Sequence, residues 1–431
     1  MRTALAVIAG RLARVASRLR GGGSAIPGWI ALRVQPHFLQ RAVAGLPLGV
    51  VFVSGSNGKS TTTQMLVAVL RAHGVRVFTN PSGANLPQGI ASAVIARVGL
   101  DGRLDRARVD GGAPEIAVLE VDEAYGPRLA DALTPHSVLL INLQVDQLNR
   151  FHEPDRVLRM LESFAHRASR HLIVNADDRN LVDVATRHPG EVAVSAFATD
   201  PALLATNAWL ARGDNPARAA EAASAGIAPA TVLTAWTGRD ATVSVDGSPV
   251  PLRLPARGLH YAVDAAAAVA TARALLGARF DPAAAASGLG GMEPVYGRGE
   301  TLRHGDEDIE VLMMKNPPSL QVNLDALEAT PEQLLVAVDE GTPDPSWIYA
   351  SDLSKLGRVD VLTGTKCWQF ATRFDYGDIE VGEIIPELGP ALDRFLALPR
   401  PASGVKTMLV NYEQMMLIRK RLGYLDLEGA G

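Results

Sequence analysis

The run VFVSGSNGKSTTTQMLVAVL, Val51 to Leu70, constrains the fold more than any other stretch. Val50-Val51-Phe52-Val53 is β-branched and aromatic, the composition of a buried strand. Gly55, Asn57 and Gly58 supply the backbone freedom of a tight turn. From Ser60 onward Met65, Leu66, Val69 and Leu70 recur at helical spacing. A strand, a glycine turn and a helix in that order aim backbone N–H groups and the positive helix end at one point, which suits phosphate. In such a loop Lys59 reaches the β- and γ-phosphates of a nucleotide, and the Ser60 hydroxyl completes a Mg²⁺ shell. The set Gly55, Ser56, Asn57, Gly58, Lys59, Ser60 and Thr61 is therefore the candidate nucleotide cradle. The full Walker spacing requires Gly at position 53, where the chain has Val53, so what remains is G-x-x-G-K-S. The competing reading is an ordinary turn with a solvent-facing lysine.

A chain of 431 residues has room for two or three domains. It is 47% hydrophobic and 20% charged, with net charge −4 and pI about 6.2, which argues against a general nucleic-acid binder. One cysteine, Cys367, leaves no disulfide within the chain and no cysteine-based zinc site, and a reducing cytoplasm is the simple expectation. No run approaches ~20 uninterrupted apolar residues. The N-terminal MRTALAVIAGRLARVASRLRGGG reads as a basic amphipathic helix with Arg11, Arg14 and Arg18 on one face. Two placements stay open for it: docked on the body, or resting peripherally on an anionic membrane at its inner face. A secretory leader fits poorly, because arginines follow the apolar core where small residues belong.

Further strands are expected at Val75 to Phe78, at Ile116 to Val121 with Glu120, Asp122 and Glu123 at its end, in HSVLLINLQVDQLNRF before Asp146, and in HLIVNADD. With helical stretches between them, these predict a doubly wound, mostly parallel α/β sheet, with polar residues just beyond the strand ends where ligands bind. Asn175 to Asp178 and Asp146 either shape that pocket or cap turns. Residues 197–245 are Ala-rich with few signals until a hairpin turning at Asp246-Gly247. YAVDAAAAVATARALLGARF is an expected helix. Strands near Glu310–Met314, Leu334–Val338 and Val359–Thr363 predict a smaller C-terminal α/β domain. The expected division is 1–45 for the basic helix and turn region, 46–299 for the nucleotide-binding domain, and 300–431 for the C-terminal domain.

GSNGKSTTT resembles the nucleotide loop of Mur ligases, and EVDE, NLQVDQLNR and VNADD follow in the order of that family's central domain. GGGSAIPG, TNPSGANLPQGI, DQLNRFHEPD, MMKNPPS and PSWIYASDL are similar to segments of one branch, the MurT-type subunits of lipid II isoglutaminyl synthases. The resemblance implies an ATP-dependent amide ligase. It would activate the α-carboxylate of D-glutamate in the lipid II stem peptide as an acyl phosphate, and ammonia from a GatD-type glutaminase partner would convert it to D-isoglutamine. It implies Lys59 on the γ-phosphate, Ser60 and Glu120 on Mg²⁺, and Arg298 reaching the phosphates from the domain junction, with Asn175 near the nucleotide. A surface acid for Glu120 and a linker ion pair for Arg298 are the plainer readings.

The sequence also departs from that pattern. No lysine lies between positions 60 and 314, so the carbamylated lysine of several Mur ligases is absent, with Glu162 the replacement to consider. The four-cysteine zinc ribbon of many MurT-type chains cannot form, and no zinc is expected. The HNxxN motif reads His260-Tyr261-Ala262-Val263-Asp264. Where the branch carries an Asp thought to complete the glutaminase triad across the subunit interface, this chain has Ala350. Asp352 is one candidate substitute, displaced about 6.6 Å if the segment is extended; the alternatives are that the partner supplies its own acid, or that the pairing is altered or lost. With 54 residues before Gly55, the UDP-binding domain of stem-building Mur ligases is not expected here. The alternative reading is a stand-alone Mur-type ligase acting on another carboxylate.

Overall fold

The computed structural model describes residues 1–19, 25–81, 84–144, 154–205, 226–293 and 298–424. Nine strands form one sheet among them: β1 Gly49–Ser54, β2 Val77–Thr79, β3 Ile116–Glu120, β4 Ser137–Leu140, β5 His171–Asn175, β6 Ala193–Thr199, β7 Thr231–Thr237, β8 Asp240–Val245 and β9 Ser248–Arg253. Their order is β2-β3-β1-β4-β5-β6-β7-β8-β9. Strands β2 to β7 and β1 run parallel, and β7-β8-β9 is an antiparallel meander. Six more strands form a second sheet: β10 Arg298–His304, β11 Glu307–Met313, β12 Leu334–Ala337, β13 Arg358–Thr363, β14 Glu380–Ile384 and β15 Val405–Val410, in the order β10-β11-β15-β12-β13-β14.

Strand β1 is buried along its whole length, and its alternation divides the core. Val50 and Phe52 pack with the helices on one face, while Val51 and Val53 pack with the helices Lys59–Ala72 and Leu259–Leu276 on the other. A strand covered on both faces reads as the continuous apolar run seen in the sequence. The span Leu259–Arg279 is apolar and long enough to cross a membrane, but 72% of its most apolar window is buried inside the protein, as a core helix. The expected hairpin forms: Asp246 and Gly247 take φ of 50° and 84°, the left-handed pair a two-residue turn needs.

The structure adds elements that the residue pattern did not reveal. The end of β6 and β7 continue the large sheet within the segment read as Ala-rich with few signals, while in the second sheet β15 lies between β11 and β12 and β14 forms one edge. The N-terminal helix Arg2–Leu19 docks on the body through Ala6 and Val7, both fully buried. The next helix, Ile26–Val34, crosses Pro87–Arg97 at Gly28. A Cβ there would lie 1.9 Å from the Gln88 carbonyl, and the Gly28 N–H donates to the Ser92 hydroxyl at 2.8 Å.

Candidate active site

The loop between β1 and the helix Lys59–Ala72 lies at the point where the sheet order reverses, with β3 on one side of β1 and β4 on the other. That is where open α/β sheets bind ligands. Gly58, the N-cap, takes the left-handed conformation with φ 81°, and a Cβ would sit 2.4 Å from the Asp264 carboxylate. Only glycine fits both demands. The loop is braced from the large sheet: Asn142 accepts the Asn57 N–H at 2.9 Å, Asn57 donates its amide to Gln144 at 2.8 Å, and Ser56 Oγ donates to the Gln144 carbonyl at 3.0 Å.

Lys59 is nearly buried. Its Nζ donates to the carbonyls of Gly55 at 2.6 Å and Ser56 at 3.3 Å, and forms an ion pair with the Glu123 carboxylate at 3.1 Å. The sequence reading did not assign Glu123. It lies in the turn after β3, where the short interval from Glu120 gave no sign of which acid meets the lysine. Glu120 ends β3 in register with Val53, two residues before the loop begins. Asn80 fixes its backbone on both sides, donating to the Glu120 carbonyl at 3.1 Å and accepting its N–H at 3.0 Å. The residue is 4% exposed, and its carboxylate makes no hydrogen bond among the described residues. Glu120 and the Ser60 hydroxyl, both in buried residues, are oxygen donors of the kind Mg²⁺ takes.

A second contribution comes from the smaller sheet. After β11, Lys315 donates from Nζ to the Ser56 carbonyl at 2.9 Å, and the Asn316 amide donates to Asn57 Oδ1 at 3.0 Å. Asn316 also caps the helix Pro317–Ala326 in a reciprocal capping box with Ser319, with Pro317 at the first helical position. KNPPS thus encodes a rigid helix start that delivers Lys315 to the loop. The target of Lys315, 259 residues away, was not readable in the sequence. Residues of both lobes line the cleft beside the loop, among them Gly58, Thr61, His260, Asp264, Lys315 and Asn323.

The other candidates lie elsewhere or serve the scaffold. Asn175 ties strand ends together: its amide donates to the Ile141 carbonyl at 3.1 Å and accepts the Asp177 N–H at 2.9 Å. Asp178 accepts from Asn180 and Leu143, a capping role. Asp177 accepts the Thr199 N–H at 2.8 Å, and burial pushes its carboxyl up to about 7. Glu162 pairs with Arg187 at 2.9 Å on the surface. Arg298 opens β10 at the junction of the lobes, and its side chain lies outside the described part, as does Asp146. Asp352 is exposed in the second lobe and is not in the cleft lining. It follows the short helix Pro345–Ala350. The Ser354 N–H, at 2.9 Å, holds its carboxyl below the usual carboxylate range.

With this geometry in place, comparison with known proteins is specific. A Mur ligase middle domain matches residues 53–272, just over half of the chain, and the chain belongs to the Mur ligase family. It is 28% identical over 398 residues, covering 84% of this chain and 83% of the relative, to the protein of Streptococcus pneumoniae named lipid II isoglutaminyl synthase (glutamine-hydrolyzing) subunit MurT. The Staphylococcus aureus protein of the same name is 33% identical over 179 residues, 41% of this chain and 38% of that one. The structure of MurF ligase from Thermotoga maritima in complex with ADP superposes with TM-score 0.60 at 16% identity, covering 92% of this chain and 84% of that one. Within its family the chain is MurT-like, an ATP-dependent carbon–nitrogen ligase.

Proposed function

We propose that this chain amidates the α-carboxylate of D-glutamate in the stem peptide of lipid II. A carboxylate is a poor electrophile, so its oxygen first attacks the γ-phosphorus of ATP, releasing ADP and giving an acyl phosphate. Ammonia then attacks the acyl carbon and phosphate leaves. Such a reaction is helped chiefly by position and charge neutralisation. Lys59 and Lys315 supply two cations that both reach the Ser56 carbonyl of the loop. Incoming phosphate gives Lys59 a partner in addition to Glu123 and the loop carbonyls. Ser60 and Glu120 would hold Mg²⁺, which supplies charge neutralisation between phosphates when bound. Asp264, pressed against Gly58, keeps the turn in the shape that accepts phosphate.

The observation that carries the reading is the contact of Lys315 and Asn316 with the phosphate loop, because it brings the second lobe to the site where the two substrates would meet. The ammonia source is a GatD-type glutaminase subunit docked on the second lobe, with the exposed, ionised Asp352 as the acid offered across the interface. The MurT names of the relatives support a partner, since each is a subunit. One observation favours a second reading, a stand-alone ligase on another carboxylate: Ala350 ends its short helix without a carboxylate, and Asp352 spends one oxygen on Ser354.

The test is a split assay on the purified chain. It receives ATP, Mg²⁺, ammonium and lipid II, and the amide is read by mass spectrometry. A parallel arm replaces ammonium with glutamine and a GatD-type subunit. Amide in both arms is expected. Amide from ammonium alone favours the stand-alone ligase, and no amide from a preparation that binds ATP removes lipid II as acceptor.

A further inference from the structure

The helix Arg2–Leu19 has two faces of different character. Ala6 and Val7 are fully buried, and at Gly10 a Cβ would lie 2.8 Å from Ile95 and 3.2 Å from the Pro27 carbonyl. Small residues therefore seat this face closely on the helices Ile26–Val34 and Pro87–Arg97. Arg11 adds a hydrogen bond to the Val98 carbonyl. The opposite face is apolar and open to solvent: Leu5 is 55% exposed, Ile8 44%, Leu12 66% and Val15 58%. Steps of three and four residues put these side chains in one stripe. At about 100° per residue, the exposed Arg2 and Arg11 fall on its two flanks. The next helix exposes Ile26 and Trp29, with the Arg33 guanidinium 4.6 Å from the centre of the Trp29 ring.

Charge separates the possible occupants. The first 50 residues hold seven arginines and no Asp, Glu or Lys, and the first acidic residue of the chain is Asp101, although the whole chain is net −4. We propose that this face rests on an anionic phospholipid bilayer, with the stripe among the acyl chains and the arginines at the lipid phosphates. A second copy of the chain fits less well. The stripe spacing suits helix pairing, but pairing would set two acid-free arginine fields against each other. The inference requires nothing of the ligase chemistry.

The test is co-sedimentation of the full chain with vesicles of phosphatidylcholine alone or mixed with phosphatidylglycerol, at low and high salt. The variant is Ile8→Asp with Leu12→Asp, both solvent-facing, with circular dichroism and ATP binding as checks that it folds. The expected result is salt-sensitive binding to the phosphatidylglycerol vesicles, weaker by about tenfold or more without the anionic lipid and by a similar factor in the variant. Failure to sediment overturns the proposal, as does equal binding by the variant. A wild-type dimer in lipid-free solution that the variant dissolves, without vesicle binding, assigns the face to a second copy instead.

Discussion

Replacing Lys59 with Met should damage stability and catalysis by separable routes. The side chain of Glu123 is 3% exposed and that of Lys59 10%, at a separation of 3.1 Å. Lys59→Met leaves the Glu123 carboxylate buried without its cation, a change that typically costs about 3–5 kcal/mol. Against a domain stability of roughly 5–15 kcal/mol, that is a large shift in a urea unfolding midpoint. Removing the carboxylate as well, in Lys59→Met/Glu123→Gln, abolishes the stranded charge. Stability should return to within about 1–2 kcal/mol of the parent, with the loss of two Nζ–carbonyl hydrogen bonds remaining. The coupling energy from the four unfolding curves should exceed ~2 kcal/mol. ADP release should stay absent in both the single and the double variant, because neither restores a cation to the γ-phosphate. A Lys59→Met protein within ~0.5 kcal/mol of the parent would refute the buried-pair argument. A double variant that turned over ATP would refute the phosphate role.

Lys315→Ala should lower turnover by at least about tenfold through misplacement of the loop while leaving unfolding free energy within ~1 kcal/mol; unchanged kcat would remove it from the site. Asp352→Asn should reduce glutamine-dependent amidation and spare the ammonium-dependent rate, and equal loss in both would assign the residue to the ligase lobe. Gly28→Ala should cost at least ~2 kcal/mol by overpacking against the Gln88 carbonyl, read from chemical unfolding, and a neutral result would mean that the helix pair yields easily. Asp177, raised to about 7 from 3.8, keeps its proton in the folded state after the unfolded chain has lost it. Its contribution to stability therefore falls as pH rises from about 4 to about 7, by up to ~4 kcal/mol before allowing for its partial exposure. Asp177→Asn should flatten that slope, and identical pH profiles would show that the group is not perturbed.

The parts of this molecule readable from sequence share one property: their signal lies within a few residues. The strand–turn–helix at Val51 to Leu70, the hairpin at Asp246-Gly247, the Ala-rich core helix and the strand ending at Glu120 announce themselves through local composition. Strand β6 did not, because Ala193–Thr199 is short on bulky β-branched residues and only its last four residues are buried. Strand β14, Glu380–Ile384, alternates charge with apolar residues at a sheet edge, where burial gives no continuous run. In the site, the cluster EVDE was visible, but which carboxylate turns toward Lys59 depends on the turn after the strand. Lys315 was visible only as part of MMKNPPS and as the end of a lysine-free gap, with no role attached.

By itself the sequence determined that a phosphate loop exists, that it opens a parallel α/β sheet, and that a second α/β unit follows. These rest on backbone propensity and hydrophobic period, which neighbouring residues set. Only the tertiary structure decided that Glu123 holds Lys59, that Lys315 and Asn316 reach across to the loop, and that the N-terminal helix docks by its small residues and turns its leucines outward. Those contacts join residues up to 259 positions apart, and packing between elements, which no local pattern records, selects them.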